Sequence, residues 1–107
     1  MAVLPVTSSD FQKEVHDHKG LVFVDFHAEW CGPCKITSPI IKEISEEIKD
    51  IKFVEVDVDK NPDLASQYSV FSIPTFVILK DGKPISQFVG AMGKEGFVEE
   101  LKKAQAS

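Results

Sequence analysis

The sequence predicts an α/β protein: a sheet with parallel pairing in its first half, an antiparallel hairpin in its second, and helices on both faces. Three observations carry this expectation. LVFVDF, residues 21–26, is apolar on both faces apart from Asp25, the pattern of a central strand covered by helices on each side. Ile36, Ile40, Ile41, Ile44 and Ile48 follow at helical spacing. TFVILK and PISQFV then flank Asp81-Gly82, a strong hairpin signal.

Taken in chain order, residues 3–6 alternate weakly and predict a short strand. Ser9 and Gln12 have capping-box spacing, and Phe11 with Val15 marks the buried stripe of a short helix ending before Gly20. After the central strand, the isoleucine run predicts one long helix bent near Ser38, because Pro39 lies inside it. Four of its five isoleucines (Ile36, Ile40, Ile44 and Ile48) share an i, i+4 line, which is expected to face the core. IKFVEVDV, residues 51–58, reads as the next strand. Asn61 as N-cap and Pro62 at the first helical position open a short helix with Leu64 and Tyr68 facing inward. Lys83 and Pro84 are expected to lengthen the hairpin loop. A last helix over about 94–104 buries Phe97, Val98 and Leu101. The whole chain, residues 1–107, is expected to be one domain, without repeats or linkers.

Composition narrows the function. The chain has 107 residues, 43% of them apolar and 27% charged, with a formal net charge of -5. Its twelve basic residues are all lysines. With no arginine fork and no basic cluster, nucleic acid is not an expected partner. No apolar run is long enough for a membrane span, and the N-terminus lacks a signal-peptide pattern. A reducing, cytoplasmic setting is the expectation.

Both cysteines fall in DFHAEWCGPCK, residues 25–35, separated only by Gly32 and Pro33. So short a loop stabilises an unfolded chain little, so an inert staple is the weaker reading. The spacing points to redox chemistry or to metal binding. For a metal, His27, Cys31 and Cys34 supply three ligands where a closed zinc site wants four. Asp25 is the oddity of its strand. A charged, unpaired carboxylate there costs several kcal/mol, so it is expected to hold its proton to unusually high pH, unless it finds water or a backbone donor.

Four blocks resemble the thioredoxin family in order and spacing, across about 100 residues. VDFHAEWCGPCK resembles its strand-to-helix junction, and VEVDVD, residues 54–59, its next strand. SIPTF, residues 72–76, resembles its cis-proline loop, and FVGA, residues 88–91, its glycine-bearing rim. The resemblance implies the thioredoxin fold, a central mixed sheet flanked by four helices. It also implies a protein-disulfide reductase recharged by a thioredoxin reductase, a flavoprotein using NADPH, with no cofactor or metal bound to the chain itself. Expected clients are disulfide-containing proteins of peroxiredoxin-like or reductase-like kind, met by a monomer. A non-catalytic binding or regulatory subunit on this fold is the alternative, which intact Cys31 and Cys34 disfavour.

Cys31 and Cys34 are then the redox-active disulfide. Cys31 is expected to be the nucleophile, since it lies nearer the helix tip and the surface. Free N–H groups and the helix dipole there favour a thiolate by roughly 0.3–2 kcal/mol. Cys34 is the resolving thiol and Asp25 the acid/base that takes its proton. Pro33 stiffens the first turn, and Gly32 leaves room for a client backbone. Family isomerases and oxidases carry histidine at the Pro33 position, which leans this chain toward a reductant. The resemblance makes Ile73–Pro74 a cis bond facing Cys31. It gathers Trp30, Ile73, Pro74, Gly90 and Ala91, with Gly32 and Pro33, into a shallow apolar client surface. His27 replaces the tryptophan common in bacterial relatives, and reads as a local packing change. Glu55 replaces a lysine near the buried acid and is expected to push Asp25 higher still. Lys35, His16 and His18 need no special role.

Overall fold

The computed structural model describes residues 3–107 of the chain. Met1 and Ala2, the first residues of the expected domain span and N-terminus, lie outside the described residues. The five strands are β1 (Val3–Pro5), β2 (Leu21–His27), β3 (Ile51–Asp57), β4 (Thr75–Lys80) and β5 (Lys83–Val89). They form one sheet in the order β1-β3-β2-β4-β5. β1 and β2 each pair parallel to β3, whereas β4 runs antiparallel to both β2 and β5. Helices α1 (Gly32–Glu47), α2 (Pro62–Gln67) and α3 (Lys94–Ala106) join a single π-type turn at Gln12–His16. The expected mixed sheet with four helices is the observed one.

Because β2 is central, its side chains enter two separate cores, as alternation across a strand requires. Leu21 and Phe23 pack with Ile41, Ile44, Phe97 and Leu101 of α1 and α3. Val22, Val24 and Phe26 pack on the other face with Phe11, Val15, Leu64 and Tyr68. Asp25 belongs by parity to the α1 face.

Several local expectations are corrected. Ser9 and Gln12 form no capping box. Asp10 Oδ1 instead accepts from the Thr7 N–H, and the Asp17 N–H reaches back to the Gln12 carbonyl, closing the wide turn. Asn61 does occupy the N-cap position of α2, but its side chain turns away to accept from the Ser8 N–H at 2.9 Å. That bond ties the segment after β1 to α2. The isoleucine line faces the core only in part: Ile44 is buried, Ile40 and Ile48 are half-buried, and Ile36 is exposed. The off-line Ile41 is buried instead, so the core face of α1 runs through Cys34, Thr37, Ile41 and Ile44. Val98 is half-buried.

α1 continues unbroken through Pro39, which has no N–H to give the Lys35 carbonyl. The hairpin turn is the two-residue Asp81-Gly82 alone, with φ of 51° and 83°, a left-handed pair that suits Gly at the second position. Lys83 and Pro84 belong to β5. Ile85 is the extra residue of a bulge, since Ile78 pairs with Ser86 and Leu79 with Pro84. Pro84 is tolerated because β5 is an edge strand.

Candidate active site

β2 ends at His27, and the chain turns through Ala28, Glu29 and Trp30 into α1. Cys31 is the N-cap of that helix, with extended backbone angles, and Pro33 lies in its first turn. An N-terminal turn leaves N–H groups without helical partners. One of them, on Cys34, points at Cys31 Sγ at 3.2 Å. The helix start therefore already aims a donor at the sulfur that is expected to carry charge. Cys31 and Cys34 are disulfide-bonded, with Cα atoms 5.3 Å apart. The expectation that Cys31 lies nearer the surface is not met in this oxidised form, where both residues are 3% exposed. What separates them is position on the helix, not exposure.

The pair packs with Ala28, against Val58 and Ile73. Ile73–Pro74 is cis. The Pro74 carbonyl accepts from the Gly90 N–H at 2.9 Å, where φ at Gly90 is +100°, so the proline loop and the glycine rim are directly joined. Gly32, Pro33 and Ala91 are exposed, Gly90 and Ile73 are half-buried, and Pro74 is buried. At Gly32 an added Cβ would meet nothing within 4 Å. Trp30 is 69% exposed, and its indole Nε1–H donates to Asp59 Oδ2 at 2.6 Å.

Two contributors escaped sequence reasoning. Asp59 fixes the Trp30 ring, and Phe71, 92% exposed, walls a groove of about 360 Å³ with Trp30, Val58, Val70, Ser72 and Ile73. The available signal was an aromatic just before Ser72-Ile73-Pro74, outside any periodic element.

Asp25 is 2% exposed, and its Oδ1 has no hydrogen-bond partner among the described residues. Burial, and secondarily the Glu55 carboxylate, pushes its pKa up to about 7. Its side chain lines a cavity of about 200 Å³ with Val3, Ser38, Pro39, Ile41, Lys42 and Glu55. Cys34 is not among those lining residues, but it lies one helical turn before Ser38 on the same side of α1. Glu55 does face the same way as Asp25, opposite it in the parallel register. His27 is half-buried, with Nε2 3.8 Å from Glu55 Oε2. Lys35 is exposed. Among the described residues, no group of three or more His, Cys, Asp or Glu side chains is placed to hold a metal ion.

The thioredoxin family model matches residues 2–103. The chain belongs to the thioredoxin family. It is 43% identical over 101 residues to the thioredoxin of Mycobacterium tuberculosis (strain H37Rv), covering 94% of this chain and 87% of that one. To the thioredoxin of Staphylococcus aureus (strain N315) it is 41% identical over 104 residues, covering 96% and 98%. Thioredoxin membership and the C-x-x-C disulfide together support a thiol–disulfide redox role. Among the described residues, no helix is long and apolar enough to cross a membrane.

Proposed function

We propose that the chain reduces disulfide bonds in other proteins and is re-reduced by a thioredoxin reductase using NADPH. The observation that carries this reading is the Cys31–Cys34 bond at the N-terminus of α1, with the Cys34 N–H aimed at Cys31 Sγ. In the reduced protein that N–H and the helix dipole favour the Cys31 thiolate. The thiolate attacks one sulfur of a client disulfide, and the other client sulfur leaves as a thiolate. Asp25, as carboxylate, takes the Cys34 proton through water, and Cys34 attacks Cys31 Sγ in the mixed disulfide. The second client sulfur leaves, Cys31–Cys34 is re-formed, and two electrons have passed to the client.

Trp30, Ile73, Pro74, Gly90 and Ala91 receive the client chain, whose backbone pairs with Ile73 in strand fashion. Pro33, in place of histidine, favours the reductant direction. The protein works as a single-domain monomer in the cytoplasm, on clients of peroxiredoxin-like or reductase-like kind. A binding or regulatory subunit would have no use for the intact dithiol pair.

The test is insulin-type disulfide reduction coupled to NADPH oxidation by a thioredoxin reductase. Turnover is expected, and its absence with a fully reducible Cys31–Cys34 pair would remove the reading. Asp25→Asn should slow release of the mixed disulfide on the order of 10²-fold while leaving the first attack unchanged. Equal slowing of both steps would strip Asp25 of its role.

A further inference from the structure

Thr37 is fully buried on the core face of α1, between Cys34 and Ile41. A hydroxyl there needs an acceptor, and a threonine inside a helix finds one by turning back to the carbonyls of the preceding turn. The Thr37 Oγ1–H is shared between two of them, the Cys34 carbonyl at 3.2 Å and the Pro33 carbonyl at 3.4 Å. Ser45 bonds the Lys42 carbonyl in the same manner at 2.6 Å, so such a bond in itself implies no function. What distinguishes Thr37 is the peptide it reaches. The Pro33 carbonyl and the Cys34 N–H belong to one peptide unit, and that N–H points at Cys31 Sγ at 3.2 Å.

We infer that Thr37 is a positioning residue for the nucleophile: its hydroxyl polarises the Pro33–Cys34 peptide from the carbonyl side and so strengthens the N–H bond that holds the Cys31 thiolate. The role presupposes that Cys31 is the attacking sulfur, as proposed above. Hydrogen bonds at the two ends of one amide reinforce each other, because a donor at the oxygen draws charge from the nitrogen and makes its proton more positive. By the i to i−4 rule the helix already gives this oxygen the Thr37 N–H, and the hydroxyl adds a second donor. When Cys31 becomes an anion, its pull on the Cys34 N–H raises the negative charge on the Pro33 oxygen. The shared hydroxyl is then drawn toward that oxygen and away from the Cys34 carbonyl. Water does not compete at either end, since Cys31, Cys34 and Thr37 are none of them more than 3% exposed. Beside Cys34, the residues packed on Cys31 are Ala28, Val58 and Ile73, which do not titrate. The titratable and charged groups on the surrounding elements are Asp25 and His27 of β2, Glu29 before α1, Cys34 and Lys35 of α1, and Asp57 and Asp59 flanking Val58. Substitution of Thr37 leaves all of these in place.

The experiment titrates reduced wild type, Thr37→Val, Thr37→Ser and Ser45→Ala, following Cys31 by ¹³Cβ NMR and Cys34 by its backbone amide. The rate of attack on a small soluble disulfide is recorded over the same pH range. Thr37→Val exchanges the hydroxyl for a methyl of similar size, and is expected to raise the Cys31 midpoint by about half a pH unit. Its Cys34 amide proton should move upfield in the thiolate form. Below the midpoint, attack should run at about half the wild-type rate, and well above it at about 1.7 times that rate, because the thiolate is scarcer but more nucleophilic. Loosened packing alone would not make the two rate profiles cross. Thr37→Ser, which keeps the hydroxyl, and Ser45→Ala should match wild type. A Cys31 midpoint unmoved in Thr37→Val, or moved equally in Thr37→Ser, overturns the role of the hydroxyl. A midpoint that moves while the Cys34 amide does not overturns the route through that peptide. A wild-type Cys31 that ionises like an ordinary thiol would take down the activated nucleophile itself, a result distinct from either of these.

Discussion

A carboxylate at 2% exposure with an unpartnered oxygen is held in place by its surroundings, at a cost that depends on pH. Between its ordinary value of 3.8 and about 7, folded Asp25 holds a proton that the unfolded chain has lost. Stability from this group therefore falls as pH rises through that window, and the full penalty stands above it. At ~1.4 kcal/mol per pH unit, the penalty is on the order of 4 kcal/mol. Asp25→Asn is expected to raise the melting temperature at pH 8 and to change it little at pH 4, measured by thermal unfolding of the reduced protein. Asp25 was legible in the sequence because a charge inside LVFVDF breaks the apolar pattern. His16 was not. Its Nδ1 lies 3.2 Å from the Gly82 carbonyl oxygen and its Nε2 3.3 Å from the Tyr68 hydroxyl, contacts across more than fifty residues that no local pattern encodes.

The β4–β5 hairpin shows how one glycine can be fixed by two causes at once. Gly82 has φ +83°, and a Cβ there would collide with the His16 backbone carbonyl. Gly20 has φ +98° with nothing within 4 Å of an added Cβ. Alanine at Gly20 should therefore cost only the left-handed backbone strain, about 1–2 kcal/mol. Alanine at Gly82 must also displace the turn at Gln12–His16, and should cost clearly more, by urea denaturation of both variants. Element identity was readable because period and turn chemistry are local. Caps and faces were less so. Asn61 gave its side chain to Ser8, and the isoleucine line lost Ile36 to solvent, because tertiary partners override spacing. At the site, the C-x-x-C pair stood out in the sequence and Pro74 and Gly90 only through the family resemblance, but the Asp59 tie to Trp30 and the exposure of Phe71 depend on loops brought together from distant positions.

Across the whole molecule, β2 shares its two faces between both cores, so neither core can come apart without exposing the same strand. Unfolding is expected as one transition, with calorimetric and van't Hoff enthalpies equal. Phe97, fully buried and in edge contact with Phe76 at 4.8 Å, tests this from one side: Phe97→Ala should lower that single transition by about 3–5 kcal/mol without splitting it. The strand order was beyond sequence reach, since nothing local says that β3 lies between β1 and β2. The bond from the Trp30 indole to Asp59 has a practical outcome here. The chain carries one tryptophan, and it adjoins Cys31. Emission excited at the indole band thus originates from the redox loop alone, without background from the cores. A fluorescence melt that leads the calorimetric one would reveal that loop loosening ahead of the sheet.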